Sequence, residues 1–185
     1  MFDKDQFIAD CRAALDGTDS VRNVREVVAR AVADPAAVVA VLGEPKAGGI
    51  VPIHRSPEIT IINVLWPSNM VIMPHNHNTW AAIGVYGGRE DNILWRRLPA
   101  DSDRGIEAAG AKSLCTGDAL SFGPDVIHSV VAPSAKVTGA IHVYGGDFVA
   151  QPRSQWPPPD LTEEPYDVER VNRVFADANE AWRAG

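Results

Sequence analysis

The stretch VIMPHNHNTWAAIGVYGG, residues 71–88, sets two histidines one position apart within an apolar run. On an extended chain residues i and i+2 point to the same side, so His75 and His77 can offer two imidazoles to one ion without bending the backbone. Pro74 just before them suits a strand edge or entry. The flanking Val71, Ile72, Met73, Trp80, Ala81, Ala82 and Ile83 place the pair in a buried sheet rather than on a wet edge. Buried imidazoles need partners. Outward from this stretch the texture repeats in ITIINVLW (59–66), TWAAIGVY (79–86), NILWRRL (92–98), DALSF (118–122), HSVVA (128–132) and VTGAIHVY (137–144). These runs are short, rich in β-branched and aromatic residues, and separated by Gly, Pro, Asn and Asp. No helix-length pattern lies between them, which predicts a sandwich or barrel.

Both flanks of the strand zone read as helical. Asp3 caps a first helix with Phe7, Ile8, Cys11 and Leu15 on one face and Gly17 at its end. Ser20 is placed to cap a second, with Val21, Val24, Val27, Val28 and Val32 along one side. PAAVVAVLG follows, with Pro35 at a permitted first-turn position and Gly43 as its stop. After the strands, PRSQWPPPDLTEEP (152–165) is an extended surface crossing. Residues 166–183 then form an amphipathic helix with the stripe Val168, Val171, Val174, Phe175, Ala178 and Trp182. The organisation expected is a helical segment over 1–49 packing on a barrel at 50–150, closed by the crossing and helix of 151–185, one structural domain in all.

The chain has 185 residues, 17 Lys plus Arg against 24 Asp plus Glu, and a formal charge of -7. That balance argues against nucleic acid or an anionic membrane as partner, since both need a cationic field. Hydrophobic residues are 45 % and charged residues 22 %, ordinary usage for a globular chain that can bury a core. Cys11 and Cys115 stand far apart with no C-x-x-C, so no zinc ribbon, redox pair or disulfide framework is encoded. The cytoplasm is the compartment this implies. The opening MFDKDQFIADCRAALDG carries acids where a signal peptide would start basic, and no apolar run is long enough to span a membrane.

All five histidines, His54, His75, His77, His128 and His142, fall in the strand zone. His128, in GDALSFGPDVIHSV after a Gly-Pro turn, is the candidate third nitrogen ligand. His142 and Tyr144 share a face with Thr138 and Ala140, while Val137, Ile141 and Val143 make the opposite face apolar. An inward polar face in a small barrel is expected where a ligand binds. There His142 can hydrogen-bond and tune the Tyr144 hydroxyl. Trp80 and Trp95 are placed at the pocket mouth. Arg89 and Arg97 read as solvated surface charges, and His54 as a wall or surface residue.

PHNHNTWAAIGVYGG followed by GDALSFGPDVIHSV resembles the two motifs of a cupin, the double-stranded β-helix barrel. Where that family usually places a Glu ligand this chain has Ala81. A cupin with three histidines and no Glu resembles the thiol dioxygenases of the cysteine dioxygenase and mercaptopropionate types, and AIHVYGGD (140–147) is similar to their S-x-H-x-Y element. Ala140 stands for that element's serine, and Ala82 stands where some relatives carry a cysteine cross-linked to the tyrosine. GREDNILWRR (88–97) does not match those members and resembles an uncharacterised bacterial subgroup. The resemblance implies a mainly β cupin barrel with N-terminal helices and a C-terminal helix. It implies a metal at His75, His77 and His128, with His142 and Tyr144 catalytic and Arg55 and Trp80 binding substrate.

Three neutral imidazoles leave the full +2 charge on an ion and up to three positions open. That suits Fe(II) receiving a thiolate and O2 together, where the better-known facial triad has two His and one carboxylate. Zinc with three His and a water is the competing use and would hydrolyse or hydrate, and manganese is a further option. The expected activity is oxidation of a small thiol or thiol carboxylate by O2 to its sulfinate. The rivals are a zinc- or manganese-dependent hydrolase or isomerase, and a non-catalytic cupin that binds a small ligand. The helical ends would suit a homodimer.

Overall fold

The computed structural model describes residues 1–99 and 105–184, so the expected closing segment is described up to 184. Among the described residues four α-helices, a 3-10 turn at Ala14–Asp16 and eleven strands are present: α1 Lys4–Ala13, α2 Ser20–Val32, α3 Pro35–Leu42, β1 Gly49–Arg55, β2 Ile59–Trp66, β3 Val71–Asn76, β4 Ala81–Gly87, β5 Arg89–Arg97, β6 Ile106–Cys115, β7 Ala119–Phe122, β8 Ile127–Val131, β9 Thr138–Gly145, β10 Ser154–Gln155, β11 Glu164–Pro165 and α4 Val168–Ala184. The strands form two antiparallel sheets, one in the order β1-β2-β9-β4-β7 and the other β11-β10-β3-β8-β5-β6. The path from β2 to β9 alternates between the sheets except at the β5–β6 hairpin, and its last strand lies between β2 and β4. This is the double-stranded β-helix, the cupin barrel.

Two apolar layers account for the nearly continuous hydrophobic runs of the five-stranded sheet. One face turns into the barrel with Ile62, Val64, Trp66, Ala81, Ile83, Val85, Ala140 and Tyr144. The other, with Ile59, Ile61, Ala82, Tyr86, Ile141 and Val143, packs on Phe7, Cys11, Val24, Val28, Val32 and Val38 of α1–α3. A sheet covered on both faces needs apolar residues at successive positions rather than at alternate ones. Gly84 allows the helix layer to sit close: a Cβ there would come 2.5 Å from Val28 Cγ1 and 2.9 Å from Val32 Cγ1.

Two of the three N-terminal helix starts fall where the sequence places them. Asp3 accepts from Gln6 N at 2.8 Å and Asp34 from Ala37 N at 3.2 Å, with Pro35 opening α3. The second cap is Asp19 rather than the expected Ser20, which is the first helical residue. Four segments differ from the sequence expectation. The strands β1 and β6 are absent from it, because both are edge strands exposed along most of their length and so lack an apolar run. β5 begins at Arg89 rather than at 92. The proline-rich crossing contributes two short strands, with β10 pairing to β3 at Gln155↔His75.

Helix α4 lies across the barrel, with Val171 and Phe175 in the interior cluster. Phe175 stacks on Trp66 at a centroid distance of 5.5 Å. Asn179 fastens the helix to the start of β1 by accepting from Gly48 N at 2.6 Å and donating to Gly48 O at 3.0 Å.

Candidate metal centre

His75 and His128 are cross-strand partners in the β3–β8 ladder, with ring centroids 4.6 Å apart. Antiparallel pairing thus joins the two histidine-bearing stretches by register alone. His77 lies one residue beyond β3, so a turn rather than the strand pleat aims its ring. The turn is built from asparagines. Asn76 donates to Asn78 Oδ1 at 2.8 Å, and Ser154 N donates to Asn76 Oδ1. Asn78 adopts a positive φ of 51° and donates to Pro152 O. The three imidazoles each offer a nitrogen within 4.8 Å of the others, and they are the one cluster of metal-ligand type among the described residues.

Each ring is buried. Burial holds the His75 pKa down at about 4 and those of His77 and His128 well below the usual imidazole range. All three are therefore neutral near pH 7, the form that ligates. His75 Nδ1 donates to Met73 O at 3.0 Å, and His128 Nδ1 donates to Asn92 Oδ1 at 2.7 Å. Each leaves Nε2 with its lone pair, which is how ligating histidines are usually fixed. His128 Nε2 and His77 Nε2 stand 3.0 Å apart. The donor set fits a divalent transition ion: three neutral, inward nitrogens whose spacing a shared cation would stabilise.

The imidazoles border a cavity of about 40 Å³ whose wall includes His142, Tyr144, Trp66 and Phe148, with Tyr166, Val171 and Phe175 closing it from the C-terminal segment. The cavity has room for two or three waters. A larger cleft of about 210 Å³ beside α1 and α2 has none of the three histidines in its lining. His142 and Tyr144 face the cavity together, with His142 Nδ1 and the Tyr144 hydroxyl 3.0 Å apart. Burial, then the Glu90 carboxylate, pushes the phenol pKa up, so Tyr144 keeps its proton. Phe148 stacks on the Tyr144 ring at 3.8 Å.

Arg55 and Trp80 are not brought to this cavity. Arg55 is half-exposed and makes a two-pronged ion pair with Asp147, at 2.8 Å for each contact. Trp80 packs with the helix-side cluster, its Nε1 beside Gly145. Trp95 donates to Ser129 Oγ and joins a third cluster with Trp156. Arg89 and Arg97 pair with Asp91 and Glu163. His54 lies on β1, outside the histidine cluster. Ala81 faces the interior opposite Tyr144 in the ladder, whereas Ala82 belongs to the helix-side cluster.

Three residues absent from the sequence reading matter here. Glu90 has no exposed surface. It accepts from Trp66 Nε1 at 2.8 Å, Asn92 Nδ2 at 3.0 Å and His142 Nε2 at 3.2 Å. Burial pushes its carboxyl up, but the His142 imidazole and the three hydrogen bonds together hold it below the usual carboxylate range. Asn92, two residues on, supports His128. Arg153 lies between the rings of Phe148 and Tyr166, at 4.2 and 4.1 Å, and its Nε is buried with no hydrogen-bond partner among the described residues. The signal for Glu90 and Asn92 was the period of two in a strand that alternates exposed Arg89 and partly exposed Asp91 with these buried residues.

No protein-family model matches the chain, and no curated protein matches it. Among solved structures, an uncharacterized conserved protein with a double-stranded beta-helix domain from Klebsiella pneumoniae is 9 % identical, with 67 % of this chain and 88 % of that one covered and a TM-score of 0.44. KdgF from Halomonas is 17 % identical over 52 % of this chain and 78 % of that one, at 0.41. Oxalate decarboxylase from Bacillus subtilis is 14 % identical over 50 % of this chain at 0.40, and the match spans only 22 % of the decarboxylase. Among the described residues no helix is long and apolar enough to cross a membrane.

Proposed function

We infer that this chain is a metal-dependent cupin that oxidises a small thiol to its sulfinate, with Fe(II) held by His75, His77 and His128. The observation that carries the reading is an all-imidazole donor set. Glu90, the one fully buried carboxylate among the described residues, is turned toward His142 and Trp66 rather than toward that set. His77 Nε2 and His128 Nε2 stand 3.0 Å apart, close enough for one ion to draw on both. When bound, the ion supplies a place where thiolate and O2 lie side by side, giving RS− + O2 → RSO2− with both oxygen atoms on one sulfur.

The chain's own groups then have separable tasks. Tyr144 holds a proton at the cavity wall and can donate it to an anionic group of the bound substrate. His142 can take up or return that proton, with Glu90 stabilising the charged imidazole, as a buried carboxylate does behind a catalytic histidine. Trp66, Ile72, Val171 and Phe175 give the cavity an apolar wall. For a carboxylate on the substrate we propose Arg153, which packs on the wall residues Phe148 and Tyr166 without itself lining the cavity, over the surface pair of Arg55.

Elemental analysis of protein purified without added metal, beside His128→Ala, tests the centre. The variant is expected to keep its fold and lose nearly all bound metal, and an unchanged content removes His128 from it. Oxygen consumption by Fe(II)-loaded protein with cysteine and with 3-mercaptopropionate tests the reaction. No uptake with either thiol defeats the oxidase reading and leaves the zinc or manganese hydrolase and the non-catalytic binder.

A further inference from the structure

One carboxylate stands behind two arms of the site. Glu90 Oε1 accepts from Asn92 Nδ2, and Asn92 Oδ1 in turn takes the Nδ1 proton of His128. Glu90 Oε2 accepts from Trp66 Nε1 and His142 Nε2, and His142 Nδ1 faces the Tyr144 hydroxyl. Every contact on Glu90 is therefore an N–H aimed at an acceptor, and a carboxylate is the side chain that only accepts.

The geometry points to Glu90 as a positioning residue that fixes, through Asn92, the ring tautomer in which His128 can ligate, and directly the tautomer of His142 that receives the Tyr144 hydroxyl. The first arm rests on the metal reading above; the tautomers themselves do not. The polarity is forced step by step. The indole of Trp66 can only donate, so the oxygen beside it must accept. Asn92 has one donor end and one acceptor end. With its amide turned to Glu90, its carbonyl must meet His128 Nδ1, which requires the proton there and leaves Nε2 bare. Glu90 and Asn92 are i and i+2 on β5, so both enter the interior from one strand, and Asn92 lies opposite Val130 on β8, the strand of His128.

Glu90→Gln is a sharp probe. The oxygen of the new side chain must stay beside the Trp66 and His142 donors, so its amide meets the Asn92 amide donor to donor. Asn92 relieves this by rotating. It then offers its amide to His128 Nδ1 and drives the ring proton onto Nε2, where ligation is blocked. Glu90→Gln combined with Asn92→Asp exchanges amide and carboxylate at constant charge. The amide introduced at position 90 then donates to the carboxylate introduced at position 92, and that carboxylate accepts from His128 Nδ1 as the Asn92 carbonyl does in the wild type.

The test uses the full chain, with long-range 1H–15N spectra of the histidine rings in metal-free protein and Zn2+ affinity by competition with a chromophoric chelator. In the wild type His128 is expected as the Nδ1–H tautomer and His142 as Nε2–H. Glu90→Gln is expected to move the His128 proton to Nε2 and weaken Zn2+ binding roughly 10- to 100-fold, the usual effect of removing a group behind a ligand. The double variant is expected to restore both readouts. An Nε2–H tautomer of His128 in the wild type overturns the proposal, as does a Glu90→Gln variant with unchanged tautomer, or a double variant that folds without rescue. If Glu90→Gln does not fold, the wild-type spectrum and the double variant decide. Wild-type protein that binds no Zn2+ or Fe(II) but shows these tautomers would sink the metal reading and leave the role of Glu90 standing.

Discussion

The two faces of the five-stranded sheet use the same strands for opposite ends. On β9, Ile141 and Val143 point to α1–α3 and join the apolar cluster there, while His142 and Tyr144 point inward to a carboxylate and a ring cluster. The helix side is a closed core in which each residue contributes burial. The barrel side gives up part of that burial to polar groups that must be satisfied one by one. Damage on the first face should therefore appear as lost stability, and damage on the second as lost chemistry in a protein that still folds.

The largest expected break comes on the helix side. Ile141 is fully buried, and Ile141→Ala should cost about 2–5 kcal/mol from lost transfer energy and the cavity left behind. Chemical denaturation measures the cost. Metal content at a temperature where the variant remains folded should match the wild type, and a selective loss of metal would erase the contrast between the faces.

The barrel side answers to pH instead. His75 titrates at about 4 in the folded chain against 6.5 for a free imidazole. Between these values the unfolded chain binds more protons, so stability rises with pH through the window and is lost as the pH falls from 6.5 toward 4. For His75 the change is roughly 3 kcal/mol at about 1.4 kcal/mol per pH unit, and His77 and His128 shift in the same direction. Denaturation of metal-free protein at pH 7 and pH 4.5 measures the sum. The difference should shrink in His75→Ala, and an equal difference in that variant would remove the buried imidazole as its source.

The smallest effect is expected at neither face. Arg55→Ala removes a surface ion pair and should leave the melting temperature and metal content close to those of the wild type. A drop in metal content would show that the surface pair reaches the centre after all.

What the sequence made legible follows the same division. Strand runs with apolar residues on both faces stood out, as did two histidines at the spacing of a strand and a third beyond a Gly-Pro turn. The helix cap at Asp3, the first-turn Pro35 and the shared face of His142 and Tyr144 were equally readable. Edge strand β6, IEAAGAKSLC, was not, because its residues have little strand preference and its conformation comes from pairing with β5. Glu90 was hidden among Arg89, Asp91 and Asn92, where composition suggests a wet surface and only alternation separates the buried pair. Arg55 was chosen by resemblance, as an arginine on an early strand, but its location depends on Asp147, 92 positions away. Pairing between distant charges is not written in local pattern.

His77 and His128 are separated by 51 positions and become neighbours only when β3 docks beside β8. A disordered chain can offer an ion the 75–77 pair but not the third nitrogen in place. Loading and folding are therefore two readings of one equilibrium, because an ion that prefers the completed trio draws the population toward the barrel. If the proposed ion binds, removing it should lower the stability of the barrel itself.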